Sequence, residues 1–252
     1  MIDLSGKTAL VTGGSRGIGA AVALHLSKAG ARVAITYNTK LQKARETAYK
    51  IASQGGECLI IKTNVSEKKE VDKAIKIVLN HFGKIDILVN NAGIWKRGPI
   101  SSITERQWHE TMDINLKSVF LFCKEVAPLM KKQHNGKIIN IASTAGQRGE
   151  AYYSHYAASK GGLIAFSKSI AAELAGDGIN VNCVSPGWVD TDMVSHVLSN
   201  PEMQDEINRL IPRGCVGSPD DIAGPVLFLA SDLSNHMVGA VLNVNGGSIL
   251  FG

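Results

Sequence analysis

Tyr156 and Lys160 are four positions apart in the chain, a spacing that places both side chains on one face of a helix, one turn from each other. A free tyrosine hydroxyl has a pKa around 10, so reversible proton transfer near neutral pH requires that pKa to fall by roughly 3, which corresponds to about 4 kcal/mol. A cation at about 4 Å contributes on the order of 4 kcal/mol at an effective dielectric constant near 20. The pair therefore suits general acid–base catalysis, although many helices carry a tyrosine and a lysine so placed as surface or core residues.

Ser143 adds a third group to this pair. It lies thirteen residues before Tyr156 and just past the apolar run 137–141, and doubly wound sheets bind ligands at the carboxyl ends of their strands. A serine hydroxyl there can hold a carbonyl oxygen by a hydrogen bond while Tyr156 donates a proton to it. Together with a nucleotide site and Asn115, the three residues favour catalysis by proton transfer.

A glycine-rich turn, Thr12-Gly-Gly-Ser-Arg-Gly-Ile-Gly19, directly follows the first apolar run and opens an apolar helix. Glycines let backbone N–H groups and a helix N-terminus approach a pyrophosphate closely. The spacing differs from the common G-x-G-x-x-G pattern, and a simple tight turn is the alternative, but the position between a strand and a helix favours a dinucleotide site. The expected contacts are Gly13, Ser15, Arg16, Gly17, Ile18 and Gly19.

The elements that must position these residues alternate along the whole chain. Runs that are apolar on consecutive residues suit strands buried on both faces of a parallel sheet. The predicted strands are 8–12, 32–37, 58–61, 85–89, 137–141, 179–184 and 240–244. The predicted helices are 17–29, 40–53, 67–81, 105–132, 153–175 and 220–231.

This alternation predicts an α/β fold, a doubly wound (Rossmann) sheet of seven mostly parallel strands with helices on both faces. No linker-like stretch interrupts it, so residues 1–252 are expected to form a single NAD(P)-binding Rossmann-type domain. The long connection from about 186 to 218 is expected to cover the substrate.

Composition excludes several other classes of function. The apolar fraction of 44% and the charged fraction of 19% fit a globular protein, and the net charge of +5 resides mostly in short lysine pairs, so we expect no nucleic-acid partner. No apolar run approaches the roughly 18 residues of a membrane span, and a secretory signal pattern is absent, so we expect a cytoplasmic protein without a membrane partner. Four scattered cysteines predict neither a disulfide nor a metal site.

Six motifs, in order and in register, resemble the short-chain dehydrogenase/reductase family over essentially the whole chain. They are Thr12-Gly-x-x-x-Gly-x-Gly19, Asn90-Asn-Ala-Gly93, Asn115, Ser143, Tyr156-x-x-x-Lys160 and Pro186-Gly187. The segments 212–223 and 244–247 resemble the 3-oxoacyl-(acyl carrier protein) reductase branch.

The resemblance implies an NADP-dependent oxidoreductase that transfers a hydride between nicotinamide and a carbonyl or secondary alcohol, with a 3-oxoacyl thioester as first candidate substrate. Another ketone, polyol or sugar dehydrogenase/reductase of the same family is the alternative. A nucleotide-sensing protein without turnover is disfavoured, because such a protein would be expected to have lost at least one of Ser143, Tyr156 and Lys160.

The resemblance also assigns further site residues. Lys160 is implied to bind the nicotinamide ribose, Asn115 to hold a water that links Lys160 to solvent, and Thr191 to bind the carboxamide. Asn64 stands where the family usually has an aspartate against the adenine, so its amide would accept there without the help of a charge. The remaining implied cofactor contacts are Val65, Asn91, Ala92, Gly93, Tyr156, Pro186, Gly187 and Val189.

The choice between NADP(H) and NAD(H) depends on the end of the second strand. A carboxylate there would accept both ribose hydroxyls of NAD, but residues 35–40 contain none. Arg16 can pair with a 2′-phosphate in a forked geometry, with Asn38 nearby and Thr39 or Lys40 as a further candidate. NADP(H) is therefore expected over NAD(H), with Arg16 as an ordinary exposed turn residue being the alternative.

The residues that contact the substrate and the partners are inferred from their positions beside the motifs. The expected pocket wall is formed by side chains that flank the motifs, any of which could equally be packing or surface residues. They are Trp95, Ser143, Gln147, Tyr153 and Trp188, with Glu150, His155 and Met193 as further candidates. An acyl carrier protein is an open possibility, since Lys131 and Lys132 suit its acidic surface whereas Asp177 has the wrong sign. A homotetramer is expected through the helices 105–132 and 153–175 and the apolar tail 249–252.

Overall fold

A seven-stranded sheet organises the computed structural model, which describes residues 2–250. The strand order is β3-β2-β1-β4-β5-β6-β7, and every pair of neighbours is parallel. The strands are β1 (Thr8–Val11), β2 (Arg32–Tyr37), β3 (Cys58–Lys62), β4 (Ile87–Asn90), β5 (Gly136–Ile141), β6 (Ile179–Pro186) and β7 (Val241–Val244). The predicted doubly wound sheet is confirmed.

Helices pack on both faces of the sheet. They are α1 (Gly17–Lys28), α2 (Leu41–Ala52), α3 (Lys68–Phe82), α4 (Glu105–Met112), α5 (Ser118–Gln133), α6 (Ala145–Arg148), α7 (Ser154–Leu174), α8 (Ser195–Leu198), α9 (Pro201–Leu210) and α10 (Pro219–Ala230). No helix among these described residues is long and apolar enough to cross a membrane.

Burial explains why the strands are apolar on consecutive residues. Every residue of β1, β4, β5 and β6 is buried, because alternate side chains enter two separate cores. One core holds Leu26 of α1 and Val226 of α10, and the other holds Phe122 of α5 and Leu163 of α7. A sheet covered on both faces is the usual setting for parallel strands.

The predicted single helix over 105–132 is wrong in one respect. A π-helical stretch, Asp113–Lys117, separates α4 from α5. Such wide turns occur mostly as single bulges within helices and often at functional sites. Here the bulge carries Asn115, whose side chain is buried.

The connection that follows β6 is also more regular than expected. It contains α8 and α9, which bury Leu198, Ile207 and Ile211 in a small core of their own. Asn200 caps α9 by accepting from the backbone N–H groups of residues 202 and 203, and Pro201 begins the helix, a favoured place for proline.

The topology creates a crevice at one edge of the sheet. From β1 the chain proceeds outward to β2 and β3, and then returns to place β4 on the other side of β1. The helices that follow β1 and β4 therefore lie on opposite faces, which opens a space at the carboxyl ends of these strands. The glycine turn follows β1, and Ser143 follows β5, the neighbour of β4 in the sheet.

Candidate active site

A cleft of about 330 Å³ lies at the carboxyl ends of the central strands. Most of the residues predicted from the sequence line it. They are Gly13, Ser15, Arg16, Gly17, Ile18, Gly19, Asn38, Asn64, Val65, Asn91, Ala92, Gly93, Trp95, Ser143, Tyr156, Lys160, Pro186, Gly187, Trp188, Val189 and Thr191. The structure thus brings the nucleotide-type turn and the proton-transfer residues into one space.

The glycine turn is shaped so that side chains are excluded from it. A Cβ atom on Gly19 would collide with the Asn91 amide and the carbonyl of Gly13, and one on Gly13 would lie 3.0 Å from the Cα of Ala92. Gly17 has a φ of +53°, a region that L-residues with side chains rarely adopt. The turn therefore leaves its backbone open to the cleft, as a pyrophosphate would require.

Hydrogen bonds fasten this turn to the end of β4. The Thr12 hydroxyl accepts from the backbone N–H groups of Asn91 and Ala92 at 2.9 and 3.0 Å. The Asn91 amide donates to the carbonyls of Thr12 and Gly13 at 2.9 and 3.1 Å. Asn91 thus holds the glycine turn in place through its side chain, and it also lines the cleft.

Arg16 has a partner that was not predicted. Its Nη1 lies 3.0 Å from Oδ2 of Asp192, and both side chains are about half exposed. Asp192 follows Thr191, whose methyl carbon would lie 3.2 Å from a Cβ on Gly17. The segment after β6 therefore reaches across the glycine turn and contacts it at two points.

Asn64 uses its side chain within its own loop. Its Oδ1 accepts from the hydroxyl and the backbone N–H of Ser66, at 2.9 and 3.3 Å. Asn64 lines the cleft, but the oxygen that was predicted to accept from an adenine already has these two donors.

Tyr156 occupies the first turn of α7, and its half-buried side chain lines the cleft beside Ser143. Removal of the hydroxyl from water raises the pKa of Tyr156 to about 12, while a hydrogen bond with Ser143 lowers this pKa and the nearby Glu150 raises it. Burial disfavours the charged form of any side chain. The protein alone therefore keeps Tyr156 protonated, as a proton donor must be.

Lys160 lies one turn along α7 and is buried. Its Nζ donates to the carbonyl of Ile141 at 2.7 Å and lies 6.0 Å from the centre of the Tyr156 ring. Burial lowers the pKa of Lys160 to about 8. The ammonium group is thus present at neutral pH and is lost under mildly alkaline conditions.

Asn115 does not line the cleft itself but supports its wall. Its Nδ2 donates to the carbonyl of Ile94 at 2.9 Å and to the Ser159 hydroxyl at 3.1 Å, while its Oδ1 accepts from the backbone N–H of Ile94 at 2.8 Å. These bonds join the π-helical bulge, the loop after β4 and α7. No bond joins Asn115 to Lys160 in residues 2–250.

An aromatic cluster forms the outer wall of the cleft. The rings of Trp95 and Tyr153 are stacked, with centres 4.3 Å apart and planes at 1°, and Trp188 meets Trp95 edge-on at 5.8 Å. The indole N–H of Trp95 donates to Oε2 of Glu150 at 3.2 Å. Trp95, Trp188 and Glu150 line the cleft, whereas Tyr153 backs Trp95.

Gln147, which was predicted to belong to the pocket wall, has both atoms of its amide engaged elsewhere. Its amide donates to Oδ1 of Asn243 at 2.8 Å and accepts from the hydroxyl of Ser185 at 3.0 Å. Gln147 therefore ties α6 to β6 and β7 and is not among the cleft residues. His155 is likewise fully buried in α7, away from the cleft.

Two charged cleft residues were missed by sequence reasoning. Arg148 and Asp192 line the cleft, and each is close in the chain to a residue that was predicted, Ser143 and Thr191 respectively. Their closeness in the chain to Ser143 and Thr191 is the only feature of the sequence that could have indicated them. The side from which each approaches depends on α6 and on the fold of the segment after β6.

Comparison with known proteins agrees with this geometry. A family model described as enoyl-(acyl carrier protein) reductase matches residues 13–248. The 3-oxoacyl-[acyl-carrier-protein] reductase of Synechocystis is 40% identical over 100% of both chains. The enzyme of that name from Staphylococcus epidermidis is 42% identical over 96% of this chain and 98% of its own.

Solved structures show the same fold at high similarity. A short-chain type dehydrogenase/reductase from Mycobacterium marinum has a TM-score of 0.93 at 34% identity and covers 99% of this chain and 98% of its own. A protein from Beutenbergia cavernae, assigned as an NAD(P) dependent gluconate 5-dehydrogenase and containing bound NADP at low occupancy, has a TM-score of 0.93 at 33% identity over 98% of both chains. By these matches and by the cleft described above, the chain belongs to the short-chain dehydrogenase/reductase family of oxidoreductases.

Proposed function

We propose that the protein is an NADP(H)-dependent reductase of 3-oxoacyl thioesters, with Tyr156 as its general acid. The observation that carries this proposal is the meeting of Ser143, Tyr156 and Lys160 with an open glycine turn in one cleft. The names of the curated relatives supply the substrate class.

The proposed mechanism assigns one task to each residue. The nicotinamide, when bound, supplies the reducing equivalent to the carbonyl carbon. Ser143 holds the carbonyl oxygen, and Tyr156 donates its proton to that oxygen as negative charge develops there. Lys160 stabilises the tyrosinate that remains, because an ammonium one turn away favours the ionised phenol. Asn115 acts as a positioning residue that fixes the Ile94 backbone and α7.

The cofactor assignment depends on the fit of the cleft to a dinucleotide phosphate. The open glycine turn suits the pyrophosphate, and Arg16 and Asn38 lie at the end where a 2′-phosphate would be placed. Thr36 and Tyr37 end β2 without a carboxylate. The structural neighbour that contains NADP supports this choice.

A second candidate function is reduction or oxidation of another ketone, polyol or sugar. It is favoured by the structural neighbours, which include the protein assigned as a gluconate 5-dehydrogenase and a levodione reductase. NADPH consumption with acetoacetyl thioesters, simple ketones and sugars tests both candidates. We expect the thioester to have the highest kcat/KM; a higher value for any sugar would replace the first proposal by the second.

Carrier-protein recognition would depend on the lysines at the end of α5. Lys131, which suits an acidic partner, forms an ion pair with Asp177 at 2.9 Å, so part of its charge is already compensated. We therefore propose that a short thioester without carrier protein is also a substrate. A reaction that requires the whole acyl carrier protein would contradict this.

Assembly into a homotetramer is part of the same proposal. Large apolar side chains are exposed on the helices expected at the interface, namely Trp108 at 40% and Phe120 at 44%, and Leu250 near the chain end is 88% exposed. Exposed apolar patches mark protein contacts. The rest of the predicted tail contact, residues 251 and 252, lies outside the described residues. Sedimentation of a monomer at micromolar concentration would contradict the tetramer.

A cytoplasmic location completes the proposal. All four cysteines are free, which suits a reducing compartment.

The pH dependence of ketone reduction tests the role of Lys160. Because burial lowers the pKa of Lys160 to about 8, its charge is present below that pH and is lost above it. We expect kcat/KM for reduction to be constant from pH 6 to 7.5 and to fall about tenfold per pH unit above the Lys160 pKa. If titration of Tyr156 limited the reaction instead, kcat/KM would fall only near pH 12, because the pKa of Tyr156 is raised to about 12. A profile that stays flat to pH 10 would exclude Lys160 as the group that titrates.

A further inference from the structure

Glu150 introduces a negative charge into the wall of the cleft, close to the proposed reaction centre. It lies in the short loop between α6 and α7, six residues before Tyr156, and it lines the cleft with Ser143 and Tyr156. Its side chain is partly buried. No step of the proposed proton transfer uses this carboxylate.

The aromatic cluster holds this carboxylate in place. The Trp95 indole N–H binds Oε2 at 3.2 Å, and Trp95 is itself fixed by the stacked ring of Tyr153 and the edge of Trp188. Among residues 2–250 no other hydrogen-bond donor reaches the Glu150 carboxylate. One oxygen is therefore oriented by the protein, and the other is left without a donor in the cleft wall.

The charge is felt at the reacting hydroxyl. Glu150 contributes to the raised pKa of Tyr156 and of Tyr153, although burial is the larger cause for both. The charge of Arg148 lowers the pKa of Glu150, but Arg148 is exposed to solvent, where screening weakens its compensation. Arg97 lowers the pKa of the neighbouring Tyr153, and Lys160 donates to the carbonyl of Ile141.

We infer that Glu150 is a specificity-determining residue, which selects neutral substrates that carry a hydrogen-bond donor near the carbonyl and rejects anionic ones. The inference rests on the proposed ketone reduction and names the substrate class of that site. A carboxylate oxygen accepts strongly from an amide N–H or a hydroxyl, whereas a second carboxylate beside it is repelled. An acyl thioester arm offers amide N–H groups and a hydroxylated ketone offers O–H groups, so both share the required chemistry.

The test compares substrates within each variant, so that a general loss of activity cancels. Four ketones are used with NADPH: acetoacetate as the anion, ethyl acetoacetate as the neutral analogue without a donor, acetoacetyl-N-acetylcysteamine for the amide donor and 1-hydroxy-2-butanone for the hydroxyl donor. Each is measured with the wild type and with Glu150→Gln, which keeps the size of the side chain and removes its charge. Glu105→Gln, on the exposed start of α4, is the matched control.

In Glu150→Gln we expect kcat/KM for acetoacetate, relative to ethyl acetoacetate, to rise about tenfold, as removal of a nearby like charge predicts. For at least one of the two substrates that carry a donor, kcat/KM relative to ethyl acetoacetate should fall about threefold to tenfold, since a charge-assisted hydrogen bond becomes a neutral one. Whichever of these two substrates shows the fall in kcat/KM identifies the donor that Glu150 binds, the amide or the hydroxyl. Glu105→Gln should change neither ratio.

Unchanged ratios in Glu150→Gln would overturn the inference, provided that the wild type reduces ethyl acetoacetate. Failure of the wild type to reduce any of the four ketones would instead contradict the proposed function. If Glu150→Gln does not fold, as judged by circular dichroism, Glu150→Ala removes the same charge and must raise the acetoacetate ratio in the same direction.

Discussion

Substitution of Tyr156 by phenylalanine is expected to lower kcat for ketone reduction by roughly 10²- to 10⁴-fold, the usual contribution of a positioned general acid. The change removes only the hydroxyl, which is hydrogen-bonded with Ser143 and raised in pKa by burial to about 12. No other hydroxyl replaces it as a donor, because Ser143 is a far weaker acid than a phenol. Steady-state NADPH oxidation with the best ketone of the panel measures the effect.

Two further measurements separate lost chemistry from lost structure. NADPH affinity, followed by fluorescence, should fall by at most about tenfold, the equivalent of one ordinary hydrogen bond. Tyr152→Phe is the matched control, because Tyr152 adjoins α7 but is 58% exposed and stacks under Arg97 at 4.5 Å. It should keep full activity. A Tyr156→Phe enzyme with more than a tenth of the wild-type kcat would contradict the assignment of Tyr156 as the acid.

The fold could be predicted because its signals are local. Strands such as β1 and β4 are buried on both faces, so three consecutive residues in each are apolar and the pattern is visible in the sequence. The glycines of the first turn are similarly informative, since a Cβ on Gly19 has no space. Burial of a strand and lack of space for a side chain each restrict the residue type at the position itself, so both can be seen in the sequence.

The parts that could not be predicted depend on partners distant in the chain. Gln147 has a type and position that suit a pocket wall, but it bonds Asn243, 96 residues away. The π-helical bulge likewise carries no pattern of its own, and its Asn115 is engaged by the backbone of Ile94. Which of several polar side chains faces the cleft is decided by such long-range bonds.

Arg16 illustrates the same point at the cofactor end of the site. Its type and place in the turn predicted a phosphate contact, whereas its ion pair with Asp192, 176 residues away, could not be foreseen. The pair is exposed on both sides, so its own stabilisation is small. A 2′-phosphate with two negative charges would compete for Arg16 with a single carboxylate.

Replacement of Arg16 by alanine is therefore expected to lower kcat/KM with NADPH by about 10- to 150-fold, the loss of a charged hydrogen bond worth roughly 1.5–3 kcal/mol. The value with NADH should remain unchanged, because NADH has no 2′-phosphate. Arg16→Lys keeps the charge but loses the forked geometry, so its kcat/KM with NADPH should lie between those of the wild type and of Arg16→Ala. Equal losses with both cofactors would show that Arg16 supports the turn and does not read the phosphate.

Asp192→Asn completes this test from the opposite side of the ion pair. If Asp192 competes with the phosphate, its removal frees Arg16, and the ratio of kcat/KM for NADPH over NADH should rise by up to about fivefold, the scale of an exposed ion pair. The asparagine keeps the size of the side chain, so the contact of the segment with the glycine turn is preserved. A fall in the ratio would mean that the pair holds this segment closed over the cofactor, and that Arg16 acts through the segment as well as on the phosphate.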